Sequence, residues 1–330
     1  MTLPVCLTLG DPAGIGGEIA LKAWAELRET LPFFLIGDVA HMRALAGGLG
    51  LAVRPIAAPS DAGAAMATGL PVLDHPLPRP APPGQVVPEN AAATIAAIER
   101  GVLLVRSGAA LALCTNPIHK KALIDGADFG FAGHTEFLAH LSGAARPVMM
   151  LASPLLRVVP VTIHVPLAEV PARLTEALLT ETIRITHRGL VRDFGIAAPR
   201  LAVAGLNPHA GEGGVIGGEE FALIEPVLAR LRLEGIGLSG PHPADTMFHP
   251  AARTRYDAAI CMYHDQALIP IKTLDFDGGV NVTLGLDFIR TSPDHGTAFD
   301  IAGQNRANPS SLIAALRLAR TLAETRAAQP

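Results

Sequence analysis

Residues 5–29 read VCLTLGDPAGIGGEIALKAWAELRE. Val5 to Leu9 is a short apolar run of strand character. Gly10-Asp11-Pro12-Ala13-Gly14 breaks it, and Glu18 to Glu29 follows with helical periodicity. The same alternation extends outward from this unit. Phe33 to Ile36 reads as a second strand, residues 89–106 as a helix, and Leu111 to Cys114 as a strand ending in Thr115-Asn116-Pro117. Residues 148–163 predict two adjacent strands and residues 175–192 a long helix. Leu201 to Ala204 and Ala258 to Met262 predict short buried strands, and a last helix starts near Pro309 and Ser310. Strands that are apolar throughout must be covered on both faces. The pattern therefore predicts an α/β protein with mostly parallel, doubly wound sheets. The proline-rich stretch from Pro71 to Pro88 (HPLPRPAPPG at 75–84) is expected to be an irregular surface connection.

A chain of 330 residues is long for one compact core and suggests two lobes. With 49% hydrophobic and 17% charged residues it can bury a large core and does not read as disordered. Aromatics are only 4%, so Ala, Leu, Val and Ile must build the layers. The net charge is −4 and no Lys/Arg run stands out, which argues against a nucleic-acid partner. Cys6, Cys114 and Cys261 lack Cys-x-x-Cys spacing and each lies in an apolar run. They read as buried, reduced thiols of a cytoplasmic protein. No signal peptide is expected, and the apolar stretches are interrupted well short of the ~18 residues of a membrane span.

Polar and glycine residues gather just after the expected strands, where open α/β sheets bind ligands. Gly133-His134-Thr135-Glu136 precedes an apolar helix. Its free N–H groups could hold an anion, or the segment could be an ordinary helix cap. Thr162-Ile163-His164, Asn207-Pro208-His209 and Tyr263-His264-Asp265 each place a histidine at or beyond a strand end. Three imidazoles with an open position would make a catalytic metal site. In a chain with 12 histidines, three such placements also arise by chance. Lys272, the run Gly278-Gly279-Val280-Asn281 and Arg290 suit a phosphate or carboxylate, or are simply solvated charges. A Gly-x-Gly-x-x-Gly fingerprint is absent, and Asp11 to Glu18 lacks the Gly-Lys-Ser/Thr of a P-loop.

These segments together resemble the 4-hydroxythreonine-4-phosphate dehydrogenase family. The matching strings are GDPAGIG (10–16), TNPIHK (115–120), GHTEFLA (133–139), GLNPHAGEGG (205–214), PADT (243–246), MYHDQ (262–266) and GVNVTLGLDFIRTSPDHGTAFDIAG (279–303). They span nearly the whole chain in the family's order. The resemblance implies a two-lobed fold like that of isocitrate and isopropylmalate dehydrogenases, with a cleft between lobes. The approximate lobes would be 1–130 with 294–330 on the cofactor side, and 131–293 on the metal and substrate side.

It further implies His164, His209 and His264 as ligands of a divalent metal (zinc, magnesium or cobalt). His134, Thr135, Lys272, Asn281 and Arg290 would contact a small phosphorylated substrate, with Lys272 also taking part in catalysis. The segment 294–303 resembles the adenosine-binding loop of that fold, which assigns His295, Gly296 and Asp300 to NAD or NADP. Asp245 is the candidate for proton handling or metal orientation, or else an ordinary turn aspartate. The implied reaction is NAD(P)-dependent oxidation of 4-phosphohydroxy-L-threonine, followed by decarboxylation, by a homodimer whose metal ligands come from both chains. Sister dehydrogenases of sugar-acid phosphates and aromatic dihydrodiols share the metal histidines. A metal lyase or hydrolase without NAD, and a non-catalytic phosphometabolite binder, are the further alternatives. Gly17 stands where the family usually has proline, and the proline-rich loop is idiosyncratic. Neither departure is expected to touch a proposed ligand.

Overall fold

A computed structural model describes residues 3–329. The chain divides into two compact units. One comprises the chain up to Pro147 together with Leu286–Glu324, and the other Val148–Gly285 together with the chain from Thr325 onward.

The first unit is built on strands β1 (Val5–Thr8), β2 (Phe33–Gly37), β3 (Val53–Ile56), β4 (Leu70–Asp74), β5 (Leu113–Thr115) and β12 (Arg290–Pro293). Their order is β3-β4-β2-β1-β5-β12, and the pairings are parallel. β1 and β2 are buried at every residue, as expected of strands with helices on both faces. Three of the few aromatics form one cluster: Phe129, Phe131 and Phe137 pack with ring centroids 5.1–5.4 Å apart. Gly17 lies in the helix Gly16–Leu27, where a Cβ would come within 2.6 Å of Leu45. Lacking one, it lets this helix close on the helix Val39–Leu49.

The proline-rich stretch is not irregular throughout. Its start, Pro71 to Asp74, belongs to β4, and Val72 is fully buried. Leu70 N–H bonds to Ala52 O, on the β3 side, so Pro71 faces the β2 side, and the β2 register begins only at Leu35↔Val72. The missing N–H of Pro71 thus costs no ladder bond, which is why proline is tolerated there.

The second unit uses β6 (Val148–Ala152), β7 (Arg157–Thr162), β8 (Arg200–Ala204), β9 (Gly237–His242), β10 (Ala258–Tyr263) and β11 (Val280–Leu284) in the order β11-β6-β7-β10-β8-β9. β7, β10, β8 and β9 are parallel, while β6 runs against both of its partners, β7 and β11. The long helix expected at 175–192 is Glu176–Arg192. Thr175 caps it by accepting the N–H of Leu178, and its buried positions repeat at helical spacing. Cys6, Cys114 and Cys261 are free and buried, as their apolar contexts indicated. Burial pushes the Cys114 thiol up to about 12, so it is not a nucleophile.

Candidate functional site

The parallel run β7-β10-β8 decides where the three strand-end histidines go. Tyr263 pairs with Thr162, and Ile260 with Val203, so the carboxyl ends of these strands lie along one edge. His164 follows β7, His264 follows β10 and His209 follows β8 at that edge. Asp245, an exposed residue on the turn Ala244–Thr246, follows β9 there as well. The imidazole rings of His164 and His264 are 5.8 Å apart and line a pocket of about 240 Å³ with Thr162, Tyr263 and Asp265. Among the described residues, no three His, Cys, Asp or Glu side chains form a ligand group, so His209 does not complete this pair within one chain.

The donor chemistry fits a metal. His264 Nδ1 lies 2.7 Å from Asp265 Oδ1. A carboxylate there accepts a hydrogen bond from Nδ1–H, which keeps the proton on Nδ1 and leaves Nε2 as the lone-pair nitrogen, as in metal-binding histidines. His164 and His209 both have left-handed backbones, with φ 53° and 52°. A non-glycine residue pays roughly 1–2 kcal/mol for that conformation, and such strain concentrates at functional positions. Asp265 escaped sequence reading although it is adjacent to His264, because adjacency does not reveal which way a side chain turns.

Not every residue assigned to the substrate shares this edge. Asn281 pairs with Leu151, and Leu151 with Val158, so it is level with a point four residues before Thr162. That is about 13 Å along the strands. Its Oδ1 is buried with no hydrogen-bond partner among the described residues. Lys272 is half-buried on the helix His264–Leu274, with Nζ 5.7 Å from the Phe276 ring.

In the first unit, Arg290 is only 3% exposed and donates from Nη2 to Thr115 Oγ1 at 2.7 Å. Desolvation lowers its guanidinium to about 10. His134 opens the helix His134–Ser142, and the capping residue Gly133 offers no side-chain bond, so the first-turn N–H groups remain available. Thr135 is half-buried on that turn. Burial, and secondarily the nearby Arg290 charge, hold the His134 imidazole well below the usual histidine value. Its Nε2 is sealed from solvent without a partner among the described residues. A neutral imidazole beside a buried guanidinium suits an oxyanion. A consequence for stability follows. Keeping His134 neutral costs nothing above the unfolded value near 6.5, and stability is lost as pH falls below it, because the unfolded chain binds the extra proton. Wild type is expected to lose its advantage over His134→Gln as pH drops from 7.5 to 5, measured by thermal melts. A constant gap would refute the buried neutral imidazole.

The segment proposed for the cofactor follows β12. Gly296 and Asp300 are exposed and His295 is half-buried, with Nδ1 2.9 Å from Gly296 O. Ile15 N–H donates to Thr297 O at 3.1 Å, and the His119 ring stacks on Phe299 with centroids 5.1 Å apart. The strand order reverses between β1 and β5, so the loops leaving these two strands flank a switch point of the kind that binds cofactors. The proline-rich loop packs beside this segment without a contact to His295, Gly296 or Asp300 among those described. Gly84 N–H donates to Ala13 O at 2.8 Å, and a Cβ on Gly303 would fall 2.7 Å from Pro83. Its distance in sequence hid this contact.

The fold and these residues define an α/β protein with His134 and the buried Arg290 near each other in the first unit and a histidine edge in the second. A family model described as "Pyridoxal phosphate biosynthetic protein PdxA" matches residues 29–319. The 4-hydroxythreonine-4-phosphate dehydrogenase of Ruegeria sp. (strain TM1040) is 59% identical over 322 residues, covering 98% of this chain and 97% of that protein. The crystal structure of 4-hydroxythreonine-4-phosphate dehydrogenase from Klebsiella pneumoniae superposes with a TM-score of 0.88 at 36% identity, covering 98% of this chain and 100% of that one. A terephthalate 1,2-cis-dihydrodiol dehydrogenase from Burkholderia xenovorans LB400 matches at TM-score 0.65 and 32% identity, covering 97% and 98%. The chain belongs to the 4-hydroxythreonine-4-phosphate dehydrogenase family, PdxA, a family of oxidoreductases serving pyridoxal phosphate biosynthesis.

Proposed function

We propose that this chain oxidises 4-phosphohydroxy-L-threonine with NAD or NADP to 2-amino-3-oxo-4-phosphonooxybutanoate, which then loses carbon dioxide to give 3-amino-1-hydroxyacetone 1-phosphate. The observation that carries the mechanism is the edge of β7, β10 and β8, where His164, His264 and His209 follow three adjacent parallel strands. These histidines would hold a divalent metal, zinc, magnesium or cobalt, which when bound supplies Lewis acidity toward substrate oxygens. Asp265 fixes the His264 tautomer for that task.

His134, Thr135, Lys272, Asn281 and Arg290 take the phosphorylated substrate. His134 serves as a neutral donor and Arg290 as a desolvated cation. Holding the phosphate places the reacting carbon for hydride transfer to the nicotinamide. Lys272 and Asp245 are assigned to proton handling, Asp245 with metal orientation as its other role. His295, Gly296 and Asp300 contact the cofactor, which the lobe expected at 1–130 with 294–330 would carry; of the expected metal and substrate lobe, 131–293, the stretches 131–147 and 286–293 with His134, Thr135 and Arg290 fall in the first compact unit. Two observations favour a homodimer with shared sites: His209 does not complete the His164–His264 pair within one chain, and Asn281 lies about 13 Å from the histidine edge.

The similarity to a cis-dihydrodiol dehydrogenase at 32% identity supports one second reading, a related dehydrogenase of a diol or sugar-acid phosphate. Absorbance at 340 nm separates the two. Purified protein with NAD, a divalent metal and 4-phosphohydroxy-L-threonine is expected to show a rise that a chelator removes. A rise only with a dihydrodiol or sugar-acid phosphate would transfer the protein to the second reading. No rise with any substrate would defeat both.

A further inference from the structure

The turn bearing His209 has an unusual backbone. His209 (φ 52°), Ala210 (52°), Gly211 (77°), Glu212 (43°) and Gly213 (66°) are all left-handed. Three of these five carry a Cβ, for which the left-handed region is unfavourable. Such a run persists only where its surroundings over-determine it.

Those surroundings centre on Glu220, which opens the π-helical turn Glu220–Ile224 and is 3% exposed. Its Oε1 accepts the backbone N–H groups of Leu206 and Asn207, both at 2.7 Å, and its Oε2 accepts Asn207 Nδ2 at 2.9 Å. Glu219 Oε2 accepts the same amide at 2.8 Å. Two glycines allow the turn to close on the carboxylate. A Cβ on Gly205 would lie 2.9 Å from Oε1, and one on Gly211 would lie 2.7 Å from Oε2. Gln266 secures the other side. It donates to Gly205 O at 2.8 Å and accepts Met262 N–H at 2.7 Å, two residues before His264.

We propose that Glu220 is a positioning residue for His209, fixing the left-handed turn that carries it, while Gln266 ties the start of that turn to the strand end that carries His264. The inference rests on the reading of His209 as a metal ligand. A buried carboxylate is strongly unfavourable unless its oxygens are satisfied. All three donors that satisfy this one belong to the first leg of the His209 turn, and none to Glu220's own helix. A residue needed only to pack that helix would be apolar.

The test is Co²⁺ titration of the full chain followed by visible absorption, with thermal melts in parallel, for wild type, Glu220→Gln and Asp193→Asn. Glutamine keeps one acceptor oxygen and turns its amide N–H₂ on a donor. Asp193 is a buried carboxylate elsewhere in the unit, 2% exposed and paired with Arg192 and Arg326. Glu220→Gln is expected to weaken Co²⁺ binding about 10- to 100-fold and to shift the absorption bands, as loss of a ligand's support does. Asp193→Asn is expected to lower the melting temperature while leaving Co²⁺ affinity and bands unchanged. Wild-type affinity and bands in Glu220→Gln would overturn the proposal. So would parallel losses in both variants that follow melting temperature. Wild type without Co²⁺ bands, or His209→Ala with unchanged binding, would instead remove the metal reading and this inference with it.

Discussion

His209→Ala is expected to abolish turnover and strip the divalent metal while the fold survives. His209 is exposed and its ring is not in the core, so the change removes little packing. Alanine at φ 52° bears about the same backbone strain as histidine, so the turn gains no reason to rearrange. What is lost is one imidazole among the proposed ligands. A Lewis acid contributes several kcal/mol to the transition state, so turnover should fall about 10³-fold or more. Metal content after gel filtration, NADH formation and a thermal melt check the three parts together. An active variant at normal metal content would sink the assignment of the histidine edge. A variant that loses both metal and fold would make His209 a structural residue.

Arg290→Ala is expected to raise the KM for the phosphorylated substrate far more than that for NAD. The guanidinium is 3% exposed and burial has lowered its proton affinity to about 10, so it is a cation already stripped of water. An anion meeting it pays little further desolvation on the protein side. Hydrogen bonds to charged groups contribute about 1.5–3 kcal/mol, which corresponds to roughly a 10- to 150-fold rise in KM. Arg290→Lys should recover only part of this, because lysine keeps the charge but loses the planar fork and reaches Thr115 less well. Initial rates with each substrate varied in turn distinguish the outcomes. Equal effects on both KM values would point to a general disturbance and count against a phosphate role.

How much of this was legible in the chain differs from residue to residue. The strands at Val5 to Leu9 and Ala258 to Met262 were legible because a strand covered on both faces must be apolar throughout, and that is a local property. Placing His164, His209 and His264 at strand ends was legible for the same reason. Their falling along one edge was not, because it depends on β10 lying between β7 and β8. Pro71 misled because proline excludes strands only where its N–H is needed, and the register of β4 decides that.

The sequence by itself determined the alternation of strand and helix, the two buried cores built from small aliphatic side chains, and the family, because these follow from local periodicity and from strings of adjacent residues. Tertiary structure decided the rest. It chose Glu220 as the acceptor for a turn thirteen residues earlier, set Asp265 against the His264 ring, laid Pro83 against Gly303, and separated Asn281 from the histidine edge. These contacts join residues through strand order and register, and no local pattern of polarity encodes which distant backbone a side chain will meet.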